Sequence, residues 1–223
     1  MNGGRHIRRC VAPAAAVIAT LALAALPACR ILPLKHEQQT TSASRSAFDA
    51  AAFVNGSWDQ RVLPYFQTKT TDLRTVLDGI AADYNQTASR YGRRLGDVNG
   101  PVSFAVQGSG TVQAVNTESR AGTAIVTVDT AAGPKQITLQ IGPVVRGNAI
   151  RDSLPFVGFE DFTNQIEFAQ AGRALTDRAM TNLKPALAAL KPGERARFTG
   201  AMTMTRPDDP VVITPVLLSE ASP

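Results

Sequence analysis

Residues 141–175, IGPVVRGNAIRDSLPFVGFEDFTNQIEFAQAGRAL, decide the fold because the hydrophobic period changes inside them. Ile141 ends the alternating run QITLQI over 136–141, and Gly142-Pro143 stops it. A crossing with no sustained period comes next. A helix is then expected from about 161, with Asp161 or Thr163 as its cap, to about 190. Phe168, Ala171, Leu175, Ala179 and Leu183 form its buried stripe. Pro185 is expected to divide this helix, and Lys191-Pro192-Gly193 to end it.

Upstream, Val102, Phe104 and Val106 alternate with Ser103, Ala105 and Gln107, and the pattern runs on through Gly108-Ser109-Gly110 to Val112 and Val115. The glycine pair suggests a bulge or sharp bend. No helix comes after it, so a phosphate-binding loop lacks its required setting. AIVTV over 124–128 gives a second strand before the one at 136–141. Downstream, 195–204 and 211–218 read as two strands joined by the turn RPDDP. Three strands, a helix and two strands is the order of an OB-like five-stranded barrel with a long helix between strands 3 and 4. Other small barrels and α+β sheets share that order.

Before the strands, residues 46–98 carry two helical patterns: Phe48, Ala51, Trp58, Val62 and Tyr65, then Leu73, Val76, Leu77, Ile80 and Tyr84. Pro64 is expected to end or kink the first. Thr71 or Asp72 caps the second, and Gly92 supplies a left-handed stop. A hairpin this small cannot bury a large core alone, so it docks on the strands downstream. The expected fold is α+β, with a helical hairpin subdomain (46–98) docked on an OB-like barrel (99–223) that carries the inserted helix.

The N-terminus reads as an address. Arg5, Arg8 and Arg9 precede the apolar run of residues 11–25, as in an export signal. That run is short for the roughly 20 residues that span a bilayer. It ends in Leu26-Pro27-Ala28-Cys29, which resembles the lipobox of bacterial lipoproteins, with Pro27 its unusual member. Cleavage after residue 28 and acylation of Cys29 give a lipid-anchored protein on the periplasmic side of the envelope, with 29–45 as a polar tether. The three signal arginines account for much of the formal charge of +5; without them 20 basic residues face 18 acidic ones. A near-neutral body gives no basic face for nucleic acid. The two cysteines fall in the signal (Cys10) and at the acylation site. The two histidines fall in the signal (His6) and the tether (His36). Cys- or His-ligated metal sites and Cys- or His-based nucleophile systems therefore lack their ligands and bases in the body, and no metal or cofactor is expected.

The lipobox, Trp58 with Leu63-Pro64, Gly108-Ser109-Gly110-Thr111-Val112, Arg120-Ala121-Gly122 and the block at 141–175 together resemble the predicted periplasmic lipoprotein family known as domain of unknown function 2291. GSGTV alone is unspecific, whereas IGPV-x-RG followed by RD, PF and DFTNQIE is quite specific. The resemblance implies a helical subdomain on an OB-like barrel and gene neighbourhood with ABC transporters for simple sugars. It establishes no catalytic residue. Arg30 after Cys29 allows outer-membrane sorting, while a transporter partner points to the inner membrane.

The densest polar grouping is Arg146, Asn148, Arg151, Asp152, Glu160, Asp161, Asn164, Gln165 and Glu167, interleaved with Phe156, Phe159, Phe162 and Phe168; all but the two glutamates, seven residues, are the candidate ligand contacts. Guanidinium and carboxamide groups beside aromatic faces suit a sugar or another small polar ligand. The same residues also suit internal ion pairs and helix caps. A third reading makes Asp152 with Glu160 or Asp161 the acid and base of a glycoside hydrolase, for which the carboxyls must stand about 5 to 10 Å apart. An enclosed pocket on which Arg151, Asp152 and Asn164 converge favours the ligand. Groups consumed by caps and ion pairs favour a structural lipoprotein that docks on another envelope protein.

Overall fold

A computed structural model describes residues 48–220. The expected signal peptide, Cys29 and the tether lie outside these residues.

The first helical stretch buries Val54, Trp58, Val62 and Phe66, a strict four-residue spacing. Twelve residues of α-helix advance about 1200°, leaving Phe66 roughly 120° away from Val54. The chain solves this by widening: α1 (Ala50–Ser57) passes into a π turn (Trp58–Val62), closed by Leu63 N–H on Trp58 O, and then into α2 (Leu63–Thr68). The extra residue in the wide turn returns Phe66 to the buried face. Pro64 does not end this stretch: it stands in the first turn of α2, directly after the wide turn. Ala51, expected in the buried stripe, is exposed, and Val54 takes its place.

The second pattern is two helices, α3 (Leu73–Ala82) and α4 (Tyr84–Tyr91). Asp72 caps α3 through Thr75 N–H. Asp83 is extended, ends α3 and caps α4 through Gln86 N–H. Gly92 is not a left-handed stop; its backbone is extended. It is glycine because a Cβ there would collide with Val102 and with the Ala88 carbonyl.

The strands are β1 (Thr71–Asp72), β2 (Gly92–Arg94), β3 (Val102–Asn116), β4 (Thr123–Thr130), β5 (Gly133–Gln140), β6 (Arg195–Met204) and β7 (Val212–Glu220). The ladder runs β3–β4–β5–β7–β6 and returns to β3, which pairs with β4 along one half and β6 along the other. The short β1 and β2 both pair with β3, so the helical segment is joined to the sheet by hydrogen bonds as well as by packing. In β3 the register shift falls at Gln113, not at the glycine pair. Gly108 and Gly110 instead mark close approach: a Cβ on the first meets Phe198 and Leu73, and on the second Thr127 and Val126.

Between β5 and β6 lie α5 (Ala149–Ser153), a 3₁₀ turn (Phe159–Asp161) and α6 (Gln165–Ala189). The cap of α6 is Asn164, not Asp161 or Thr163. Pro185 does not divide α6. It sits near the C-terminal end on the exposed side, and the i−4 residue whose carbonyl it frees, Thr181, is also exposed, so water can serve it.

Two apolar cores share β3. Val102, Phe104 and Val106 join Leu73, Val76, Leu77 and Ile80 of α3 on one side of the sheet. Ala105 faces the other, with Trp58, Phe66, Ile150, Leu154, Leu175 and Ala179. Covering both faces buries all of residues 102–106 and erases the polar side that the sequence alternation predicts.

Candidate functional site

The crossing from β5 to α6 holds the polar grouping of Arg146 to Gln165. It starts with a clamp. The buried Gln140 amide accepts from Arg146 N–H at 2.8 Å and donates to Arg146 O at 3.1 Å and to Thr214 Oγ1 at 3.0 Å. Gly147 then turns the chain with φ +82°, a conformation that favours glycine.

Arg151 is buried and spends its guanidinium inside the protein. Nε and Nη2 reach Asp152 Oδ1 at 2.8 and 2.6 Å, Nη1 donates to Phe168 O at 2.9 Å, and Cζ lies 3.5 Å from the centre of the Phe168 ring. Burial pushes the Asp152 carboxyl above the ordinary carboxylate range, and Arg151 and then Arg93 pull against that shift. The last carbonyls of α5 and one in the loop after it find remote donors: Arg93 serves Asp152 O at 3.1 Å and, beyond the helix, Val157 O at 2.9 Å, and Tyr65 Oη serves Ser153 O at 3.1 Å. Burial also raises the Tyr65 hydroxyl, with Arg93 opposing. Neither Arg93 nor Tyr65 was legible as part of this region, since both come from the helical segment far away in sequence.

Asp161 Oδ2 accepts from Gly158 N–H at 2.8 Å. Asn164 Oδ1 accepts from Ile166 and Glu167 N–H at 2.9 and 3.0 Å, and Glu167 reaches back to Thr163 N–H at 2.9 Å. This reciprocal arrangement starts α6. Asn164→Ala is expected to cost about 1 kcal/mol, read as a lower urea midpoint at unchanged slope, with Asn164→Ser retaining most of the stability.

Three of the seven stay uncommitted: Arg146, Asn148 and the exposed Gln165. The Arg146 guanidinium and the Asn148 carboxamide make no hydrogen bond among the described residues. They line separate cavities that meet at Gly147. One of about 460 Å³ includes Gln140, Arg146 and Thr203; the other, of about 490 Å³, includes Asn148, Arg173, Thr176 and Asp177. Gln165 is exposed and lines a further cleft with Ile166 and Arg173. The structure therefore brings Arg151 and Asp152 together as an ion pair and leaves Asp161 and Asn164 at their own turns. It does not converge all seven on one pocket. Among the described residues no three His, Cys, Asp or Glu gather as a metal site, and no helix is long and apolar enough to cross a membrane.

The remaining motifs meet here too. Gly122 O accepts from Ile141 and Gly142 N–H at 2.9 and 3.1 Å, and Arg120 O from Val144 N–H at 2.9 Å, so RAG and IGP are two halves of one backbone clasp. Residues 19–219 match the family described as predicted periplasmic lipoprotein (DUF2291). The chain belongs to this family. Among solved structures, this DUF2291 chain is similar to an OB-fold protein from Thermotoga maritima, at 18% identity and a TM-score of 0.62, over 78% of this chain and 99% of that one. That likeness concerns the fold alone. No match was found among curated proteins.

Proposed function

We propose that this DUF2291 protein is a lipid-anchored accessory of the periplasmic face, held by acylated Cys29, that serves an ABC transport system for simple sugars by docking on another envelope protein. The closed run of β3, β4, β5, β7 and β6 is read as an OB-like barrel with α6 inserted; the expected helical hairpin does not form a subdomain of its own, because its two helical patterns pack into the two different cores on opposite sides of β3. The observation that supports docking over sugar capture is the spending of Arg151, Asp152, Asp161 and Asn164 on an ion pair, a buried carbonyl and two turns. A sugar site needs directed donors and acceptors left free for hydroxyls. The same bonds speak against a hydrolase, whose acid and base must face substrate, so the protein is read as having no catalytic role of its own.

A second reading rests on Arg146 and Asn148. Their free polar groups on either side of Gly147 suit a small polar ligand, held against α6 on the Asn148 side or against the strands at Thr138 and Gln140 on the Arg146 side.

A panel of mono- and disaccharides separates the two. Ligand at a hundred times its dissociation constant stabilises by about 2.7 kcal/mol, a readily measured rise in melting temperature. Docking predicts no rise with any sugar at millimolar concentration, together with cross-linking in cells to a sugar-transporter subunit. A sugar-dependent rise abolished by Arg146→Ala or Asn148→Ala overturns docking in favour of the ligand.

A further inference from the structure

At the point where the chain enters the described body, aromatic rings collect. Phe48 lies 5.9 Å from Phe53 and 5.3 Å from Phe162, Phe162 lies 5.4 Å from Phe168, and Phe168 lies 5.7 Å from Phe159. Rings this close supply one another's packing; Phe53, Phe162 and Phe168 back onto the apolar core around Trp58 and Leu175, and the cluster reaches the surface at its outer end. Phe159 is 46% exposed, and Ile166, in the first turn of α6, is 70% exposed. Phe48, Phe53, Phe162 and Phe168 are only half-buried behind Phe159, and Ile166 shares with Phe48 the cleft residues Gln170 and Arg173, so these side chains mark one contact face at this end of the body.

Its position says what covers it. Cys29 and Phe48 are separated by 18 residues, which span at most about 65 Å when fully extended. A body held by lipid at Cys29 therefore meets the bilayer at an effective concentration on the order of millimolar, and the end that bears Phe48 is the end nearest the attachment in sequence. A contact too weak to hold a free protein is sufficient under that constraint.

We infer that the Phe159–Ile166 face rests on the lipid bilayer surface, with the ring cluster dipping into the interface. The inference rests on acylation of Cys29. Asp49, Glu160, Asp161 and Glu167 flank this face in the sequence and outnumber Arg173, which lines clefts with both Phe48 and Ile166, so the surface it fits is zwitterionic; an anionic one repels it.

The test uses the full lipidated protein in phosphatidylcholine vesicles, with Ile166→Cys carrying an environment-sensitive fluorophore and Asp208→Cys, in the turn between β6 and β7, as the comparison. Acylation leaves position 166 as the one free thiol of that processed protein. The label at 166 is expected to shift to the blue and to be quenched severalfold less by an aqueous quencher than the label at 208. Phe159→Ser, or an equal mixture with phosphatidylglycerol, should reduce that protection; a label at Phe159→Cys reads the same face independently. A label at 166 as accessible as that at 208 overturns the contact. Protection that grows with protein density assigns the face to a second copy and also overturns it. Flotation reports the anchor separately: protein that fails to float with the vesicles overturns acylation and the contact with it, whereas floating protein with an open 166 overturns the contact alone.

Discussion

Arg151→Met is expected to lower the unfolding free energy by roughly 3–5 kcal/mol, because it leaves a largely buried carboxylate without its partner. For a body of this size that corresponds to a fall in Tm of roughly 10 °C. Three losses coincide: the two charge-assisted bonds to Asp152, the donor to Phe168 O, and the cation over the Phe168 ring. Methionine fills most of the volume and replaces none of these. Arg151→Lys should recover only part, since one ammonium cannot address a carboxylate, a carbonyl and a ring face together. Adding Asp152→Asn to Arg151→Met should return much of the lost stability, and that non-additivity identifies the pair as the cause.

The pH dependence has a definite sign. Burial already holds the Asp152 carboxyl above its ordinary value, and Arg151 is the leading opposing influence. In Arg151→Met the folded-state pKa rises further, so the folded protein binds the proton more readily than the unfolded chain. The deficit should then be largest at neutral pH and shrink as pH falls through the raised folded-state value toward the ordinary carboxylate one. A deficit that stays constant over that window would assign the loss to packing alone.

Order and period carried most of the architecture. Alternation exposed the strands at 102–106, 124–128, 136–141, 195–204 and 211–218, and helical spacing exposed α6, because each lies against a continuous apolar core. Two features escaped because they have no period: β1 and β2 are two and three residues long. The π turn did leave a trace, the strict spacing of Val54, Trp58, Val62 and Phe66, which an α-helix cannot keep on one face. Within the candidate site, residue types were legible and partners were not. Arg151 beside Asp152 reads equally as ligand site or ion pair; what decides between them is Phe168 O, placed one helix away. Arg93 and Tyr65 give no local signal at all, since the carbonyls they serve stand 59 to 88 residues further along the chain.

The motifs that mark the family also mark places where the fold makes its closest demands. GSG admits Phe198, Leu73 and Thr127 against bare backbone, RAG and IGP clasp each other, RD makes the buried pair, and DFTNQIE supplies the caps of a turn and a helix. A binding protein would be expected to place some of its most specific residues toward an open cavity. Here Arg146 and Asn148 alone of the RG and NAIRD residues do so with free side chains, which is why substitutions at them separate ligand binding from architecture.

Gly142→Ala is expected to destabilise by about 3 kcal/mol, near the upper end for an added methyl group. A Cβ at 142 would fall on Gly122 N and Arg120 O, inside the 3.0 Å that real Cβ atoms keep, and both are backbone atoms that cannot rotate away. Relief requires opening the clasp, which strains the bonds from Ile141, Gly142 and Val144 to Gly122 and Arg120 and leaves buried backbone groups poorly paired. Gly56→Ala is the matched control. Gly56 lies in α1, with nothing within 4 Å of its Cβ position and no left-handed backbone, so the same methyl should stabilise by roughly 0.5–1 kcal/mol through helix propensity. Urea unfolding of both variants reads the contrast directly: opposite shifts in midpoint place the cost at 142 in the clasp, whereas equal shifts would mean that the chain at 120–122 yields and that RAG and IGP are joined only loosely.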